Sequence, residues 1–326
     1  MARQAGGIQD LLHKGDPQAQ PEIRALFHLG PDLPVRYKLR LAAVQHRLEI
    51  IDERIESARE SSPKHVKPYL FYGYENGRPM LNIGKKERRL RREDVAPDQS
   101  ILAQRKDRES YPELTNLGEL LSQIRIYRNW TFGRVAPARQ PQQADLPSDV
   151  LMEDFSNLAL VLNEFKLRPK LRDSLMSRVH SFSGQFLDFT TKISGNQVQL
   201  YLQDNEWSVP AHRLSDGTIR YLCLLAILMN PHPPPLVCIE EPELGMHPNV
   251  LPDLARLLLE ASEKTQLIVT THSDILVDAL SHTPECLLLA ENSDVGTRFL
   301  RRGSEELKVW LNDFGLGQLW LRGELG

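Results

Sequence analysis

The 326 residues carry 40 Lys and Arg against 43 Asp and Glu, a formal charge of −3, which excludes a protein that coats polyanions through a bulk positive field. Hydrophobic residues at 41% and charged residues at 25% exclude intrinsic disorder as a class, and this length supports a core divided over one or two lobes. Cys223, Cys238 and Cys286 are odd in number and lack Cys-x-x-Cys spacing, which excludes a disulfide framework or zinc cluster and points to a reducing compartment.

Residues 1–20 hold no apolar signal segment, and Ile8–His13 reads as a short helix. Val35–Leu41 (VRYKLRL) alternates apolar with basic residues, and His46–Ile55 does so less cleanly, so both are predicted strands. Pro68–Tyr74 and Pro79–Ile83 flank Glu75-Asn76-Gly77, a hairpin signal because Asn-Gly adopts the positive backbone dihedrals of a tight turn. An antiparallel sheet near the N-terminus follows. Lys85–Arg92 (KKERRLRR) is strongly basic, and Leu117–Tyr127 (LGELLSQIRIY) has helical periodicity. Pro137–Pro147 reads as a polar, proline-rich linker, and Val150–Phe165 and Lys170–Phe182 as two helices of a helical insertion.

From Gln197 the pattern changes. Val198–Leu202 and Trp207–Val209 predict a hairpin around Asp204-Asn205, and Thr218–Met229 predicts a buried helix. The most apolar stretch of the chain, Tyr221–Met229, is far short of the roughly 20 residues of a membrane span, so a cytoplasmic protein without a membrane partner is expected. Strand Leu236–Ile239, helix Asn249–Ala261, strand Leu267–Thr271, helix Asp274–Leu280 and strand Cys286–Ala290 then alternate. Strand–helix–strand units imply a parallel sheet with its chemistry at the strand C-termini.

Three polar clusters stand where such a sheet places a nucleotide. Leu236–Glu243 (LVCIEEPE) is an apolar strand ending in acids, one of which can hold magnesium while the next polarises a water; the same pattern also describes a strand that exits into solvent. Ile268–Ser273 (IVTTHS) ends a second strand about one helix later, so Glu241 and His272 can share one sheet edge, although a lone strand-end histidine is commonly a solvated one. Leu214–Thr218 (LSDGT) opens a helix with a Ser cap and a Gly, a ready anion site or a plain N-cap.

The order LSDGT, then EEPE with Gly245-Met246-His247-Pro248, then TTHS resembles the C-terminal half of the ABC-type ATPase core of SMC-, RecF- and OLD-like proteins, in particular AAA-type ATPases with an "EEPExGLHP" box. The likeness covers residues 196–326, with Ser281–Arg302 and Glu305–Gly326 similar to the family's tail. It implies an α/β fold: a P-loop NTPase-like core with a parallel sheet, an N-terminal antiparallel β lobe and a helical insertion. The implied division is 1–84 for the β-rich part, 85–195 for the helical insertion with its linker at 137–147, and 196–326 for the ATPase core.

By the same resemblance, Ser215, Asp216 and Gly217 form the signature motif that caps ATP bound to a partner subunit. Glu240 stands at the Mg2+ position, Glu241 at the general base, Gly245–Pro248 in the D-loop and His272 at the switch that reads the γ-phosphate. Gln104 stands either as a Q-loop glutamine or as a surface helix residue. The implied ligands are ATP and Mg2+, and the implied partner is a second copy or a full-length ATPase; DNA repair and anti-phage defence are both compatible.

The sequence departs from the pattern twice. Glu240 replaces the usual Asp, extending the carboxylate by roughly one bond length toward a metal with strict octahedral demands. No G-x-x-x-x-G-K-[ST] occurs; at Ile83-Gly84-Lys85-Lys86 the first glycine is Pro79 and the hydroxyl position is Lys86. The resemblance therefore implies a chain that begins late, without a strand, phosphate loop and helix of about thirty residues or more. The alternative is a pseudo-ATPase that serves as an interaction module or supplies its signature motif in trans. Lys85–Arg92 with Arg105, Lys106 and Arg108 reads as a solvated face or a contact for a DNA backbone, with no interleaved aromatics to stack bases. Asp274 and Asp278 read as solvent acids.

Overall fold

A computed structural model describes residues 20–30, 33–44, 47–58, 68–75, 78–83, 86–90, 94–130, 132–293, 296–301 and 314–324. The expected helix Ile8–His13 and the Gly84-Lys85 pair lie outside these residues, as do Asn76-Gly77. The chain divides into two compact units, 1–123 and 124–326.

The first unit carries a six-stranded antiparallel sheet in the order β1-β2-β3-β4-β5-β6 (Glu22–His28, Pro34–Val44, Arg47–Ser57, Leu70–Glu75, Arg78–Ile83, Lys86–Arg89). Alternation decides its faces: Val35 and Tyr37 point into the core with Ile55, while Arg36 of β2 lies outward opposite Glu56 of β3. Pairing of Glu75 with Arg78 leaves two residues for the connection, as the Asn-Gly signal requires. Two helices, α1 (Ile101–Gln104) and α2 (Pro112–Gln123), pack on the inner face through Ile101, Leu102, Leu114 and Leu117.

The second unit opens with β7 (Arg125–Tyr127), which corrects the expected helix over 117–127: α2 stops at Gln123 and the IRIY stretch turns extended. It pairs in parallel with β12 (Leu236–Glu240), which pairs in parallel with β13 (Gln266–Thr270), giving the order β13-β12-β7. The parallel sheet is thus real, but its third strand is β7 rather than Cys286–Ala290. That later segment forms β14 (Leu289–Ser293), which pairs antiparallel with β15 (Gly296–Leu300) in a separate hairpin.

Between β7 and β12 the chain forms β8 (Gln142–Gln143), α3 (Leu158–Lys166), α4 (Pro169–Ser183), β9 (Asp188–Ser194), β10 (Gln197–Gln203), β11 (Ser208–Pro210) and α5 (Asp216–Leu228). Strands β8, β9 and β11 all pair with β10. The expected linker 137–147 is largely exposed but carries three buried residues. Ala138, Arg139 and Gln142 are buried, because β8 joins a sheet and Arg139 reaches across to the start of α5. Residues 85–195 are not one lobe, since α1 and α2 belong to the first unit while everything after Ile124 belongs to the second.

Helix α5 is apolar nearly all round, as a helix at the centre of a core must be, and it is covered by α3, α4 and α6 (Leu251–Ser262). Helix α7 (Asp274–Asp278) follows β13, and α8 (Leu316–Leu321) docks on it; Gly317 N–H donates to Asp278 Oδ1 (3.2 Å), so Asp278, an exposed acid, also docks a helix. Among the described residues no helix is long and apolar enough to cross a membrane.

Candidate functional site

The parallel strands deliver polar residues to one edge because each ends where its apolar run ends. In β12 the buried Val237 and Ile239 fix the strand against the helices, Glu240 is the last residue, paired with Thr270, and Glu241 leaves the sheet. Glu241 sits at φ 44°, a left-handed conformation that a non-glycine residue adopts at a cost on the order of 1 kcal/mol. Three contacts hold it there: its N–H donates to Thr270 O (2.9 Å), and its carbonyl accepts from Leu244 N–H (3.2 Å) and, at 3.5 Å, from the Arg220 guanidinium.

The neighbouring strand contributes His272. Its Nε2 stands 3.6 Å from Glu241 Oε1, an ion-pair distance when the imidazole is protonated, with the His272 side chain 84% exposed and that of Glu241 30%. The two sequence-predicted groups therefore do meet at one edge, open to an incoming ligand. The Glu240 side chain is exposed beside them and holds no ion pair among the described residues. Magnesium commonly takes one or two protein carboxylates and completes its shell with water and phosphate oxygens, so a single unpaired carboxylate at a strand end fits that ion.

The Ser215–Gly217 loop opens α5. Ser215 Oγ accepts from Thr218 N–H (3.1 Å), the capping bond of a helix start, which leaves the first-turn amides of Asp216 and Gly217 at the positive end of a 13-residue helix. Asp216 brings a negative charge to a place suited to anions, and the buried Arg139 pairs with it. Arg139 also donates through Nε to Phe132 O (2.7 Å) and through Nη1 to Ala211 O (3.2 Å) and Leu214 O (2.5 Å), fixing the loop from below.

Two further groups brace the acids and were not predicted. The Trp130 indole N–H donates to Glu240 O (2.6 Å). Arg220, buried one turn into α5, donates to Trp130 O (3.1 Å) and lies over the Trp130 ring at 5.2 Å and the Phe132 ring at 5.7 Å. Burial lowers the affinity of its guanidinium for the proton, with neighbouring anions opposing that shift. A lone arginine inside IRYLCLLAIL is a signal the sequence offered; Trp130 and Arg139 had none.

Gln104 is a helix residue, the last of α1. It belongs to the first unit, where its Oε1 accepts from Ala96 N–H (2.8 Å) and its Nε2 donates to Gln99 O (2.7 Å) and Ala96 O (3.2 Å), closing the loop before α1. No group of three or more His, Cys, Asp or Glu residues suited to a metal occurs among the described residues.

No curated protein matches the chain. Among solved structures, the Smc head domain with an extended coiled coil bound to the C-terminal domain of ScpA from Pyrococcus furiosus is similar at 11% identity and TM-score 0.43, covering 86% of this chain and 80% of that one. The SmcHead bound to the C-winged helix domain of ScpA is similar at 10% identity and TM-score 0.41, with 84% and 76% covered. The SMC head domain from Thermotoga maritima gives 13% identity and TM-score 0.32, with 82% and 74% covered. A family model described as "AAA domain, putative AbiEii toxin, Type IV TA system" matches residues 4–278. The match runs through the N-terminal sheet, where the motifs were silent, and stops before the tail that was expected to share the likeness. Over that span, with an α/β fold and acids and a histidine at the ends of parallel strands, the chain belongs to this AAA-domain ATPase family.

Proposed function

We propose that the chain hydrolyses ATP held between two subunits. The observation that carries this reading is the juxtaposition of Glu241 and His272 at 3.6 Å on the ends of adjacent parallel strands. A carboxylate there accepts a proton from water as the water attacks the γ-phosphorus in line and the bond to the β,γ-bridging oxygen breaks to release ADP, and the histidine faces the charge that develops on the transferred phosphoryl oxygens. Glu240 would hold Mg2+, which when bound would neutralise phosphate charge. The first turn of α5, with Ser215, Asp216 and Gly217, faces the phosphates of nucleotide on the opposite subunit, so that ATP draws two copies together.

The left-handed backbone at Glu241 supports this assignment. Strain of that kind persists where surrounding contacts over-determine it, and the contacts to Thr270, Leu244 and Arg220 do so here. A second reading rests on the capped first turn of α5: the chain supplies its Ser215 loop to nucleotide bound by another ATPase subunit. DNA is a further candidate partner of either assembly, on the strength of the basic residues Lys85–Arg92.

The deciding experiment is Glu241→Gln. With ATP and magnesium the variant is expected to hydrolyse at least about 100-fold more slowly than the unsubstituted protein and to accumulate as an ATP-bound dimer in light scattering. No hydrolysis by the unsubstituted protein and no nucleotide-dependent dimer from the folded variant would sink the first reading. Rescue of another subunit's activity that depends on Ser215 would establish the second.

A further inference from the structure

The third acid of the strand-end box has no place in the chemistry described so far. Glu243 lies two residues beyond Glu241, on the loop after β12, yet its contacts are with the neighbouring strand's loop. Its Oε1 accepts from Thr271 Oγ1 (2.5 Å) and from the backbone N–H of His272 (3.0 Å). Thr271 Oγ1 in turn accepts from Ser273 N–H (3.0 Å), so three consecutive residues after β13 are tied to one carboxylate oxygen. The other oxygen, Oε2, is buried and accepts no hydrogen bond among the described residues.

Burying a carboxylate oxygen without a donor is costly, and a solvent-facing rotamer would relieve it. The side chain instead faces the β13 loop, which means the bonds through Oε1 outweigh that cost. Among the described residues the imidazole of His272 has little else to locate it, being 84% exposed with Glu241 Oε1 opposite at 3.6 Å. A side chain with a free outer end is placed by its own backbone, and the backbone N–H of His272 is what Glu243 holds.

We propose that Glu243 is a positioning residue for His272: it clips the loop after β13 to the loop after β12, and so sets the imidazole against Glu241. The inference rests on the ATPase reading for its catalytic consequence, whereas the clip is a property of the unliganded protein. Glu243→Ala removes the acceptor. Glu243→Gln keeps a carbonyl oxygen at the same place and so preserves both bonds. Thr271→Val removes one of the two donors while leaving the His272 amide its partner.

Hydrogen–deuterium exchange of the unliganded protein tests the clip. The His272 amide is expected to exchange at least about tenfold faster in Glu243→Ala, near the unsubstituted rate in Glu243→Gln, and at an unaltered rate in Thr271→Val. Equal protection in Glu243→Ala overturns the proposal whether or not the protein is an ATPase. A double-mutant cycle tests the consequence: Glu243→Ala is expected to lower kcat about tenfold with KM changed less than about twofold, and to lower it less than about twofold further once His272→Ala is present. A full multiplicative loss in the double variant means that Glu243 acts other than through His272, and overturns the assignment. Failure of the unsubstituted protein to hydrolyse ATP removes the ATPase reading instead, and with it the catalytic consequence, while the exchange result still decides the clip.

Discussion

Gly217 and the carbonyl oxygen of Gly245 are in close approach: a Cβ added at 217 would stand 3.1 Å from Gly245 O. The loop that opens α5 and the loop that follows the strand-end acids thus touch within one chain. Gly245 itself sits at φ +73°, in the left-handed region that glycine enters without penalty, which lets the second loop turn toward the first.

The contact predicts a graded response at position 217. Alanine must displace the Gly245 loop by a few tenths of an ångström, at a cost that the better helix propensity of Ala largely offsets, so Gly217→Ala is expected within about 1 kcal/mol of the unsubstituted protein in a urea titration. Gly217→Val places branched carbons in the same gap and is expected to lose about 2 kcal/mol. A valine variant as stable as the parent would show that the two loops do not press together.

Arg139 predicts a stability effect at the loop that opens α5. Its guanidinium serves three backbone carbonyls and Asp216, whose side chain is 74% exposed, so most of its value lies in the carbonyls rather than in the ion pair. Arg139→Met keeps the volume and strands those acceptors, and is expected to destabilise the protein by about 2–3 kcal/mol. Arg139→Lys keeps the charge but not the fork geometry, and is expected to recover less than half of that loss. Chemical denaturation of the three proteins, followed by tryptophan fluorescence, measures both; a methionine variant within 0.5 kcal/mol, roughly the scatter of a surface substitution, would contradict the bonding scheme.

A pH effect is expected from the first unit. Glu53 is buried and accepts from Tyr37 Oη (2.8 Å), Ser100 Oγ and Ile101 N–H (2.9 Å). Burial raises its pKa above the ordinary 4.5, outweighing the donors, which lower it. The folded state then binds its proton more tightly than the unfolded state, so this group's contribution is fully present below pH 4.5 and is lost as pH rises through the folded value. Stability of Glu53→Gln is therefore expected to fall less with rising pH than that of the unsubstituted protein, in urea titrations run from about pH 4 to 8. Parallel pH profiles would mean that Glu53 titrates as it does in the unfolded chain.

Much of the second unit is legible in the sequence because its cues are local. Apolar runs that end abruptly in polar residues locate β12 and β13; a Ser cap before an apolar stretch locates α5; alternation and an Asn-Gly pair locate the hairpins of the first sheet. The same cues name Glu240, Glu241, His272 and Ser215–Gly217. They fail where the partner is distant. IRIY after α2 is a strand because β12 lies beside it, and Ala138, Arg139 and Gln142 of the proline-rich 137–147 are buried because a sheet and the start of α5 claim them.

The amino-acid sequence alone determined which residues end the strands and cap the helix, since periodicity and capping act over a few neighbouring positions. Only the tertiary structure decided what holds those residues in place. Trp130 reaches Glu240 across 110 positions, Arg220 reaches Trp130 across 90, and Arg139 reaches Leu214 across 75. Their acceptors are backbone carbonyls, which every residue has, so no side chain at the far end announces the bond before the chain folds.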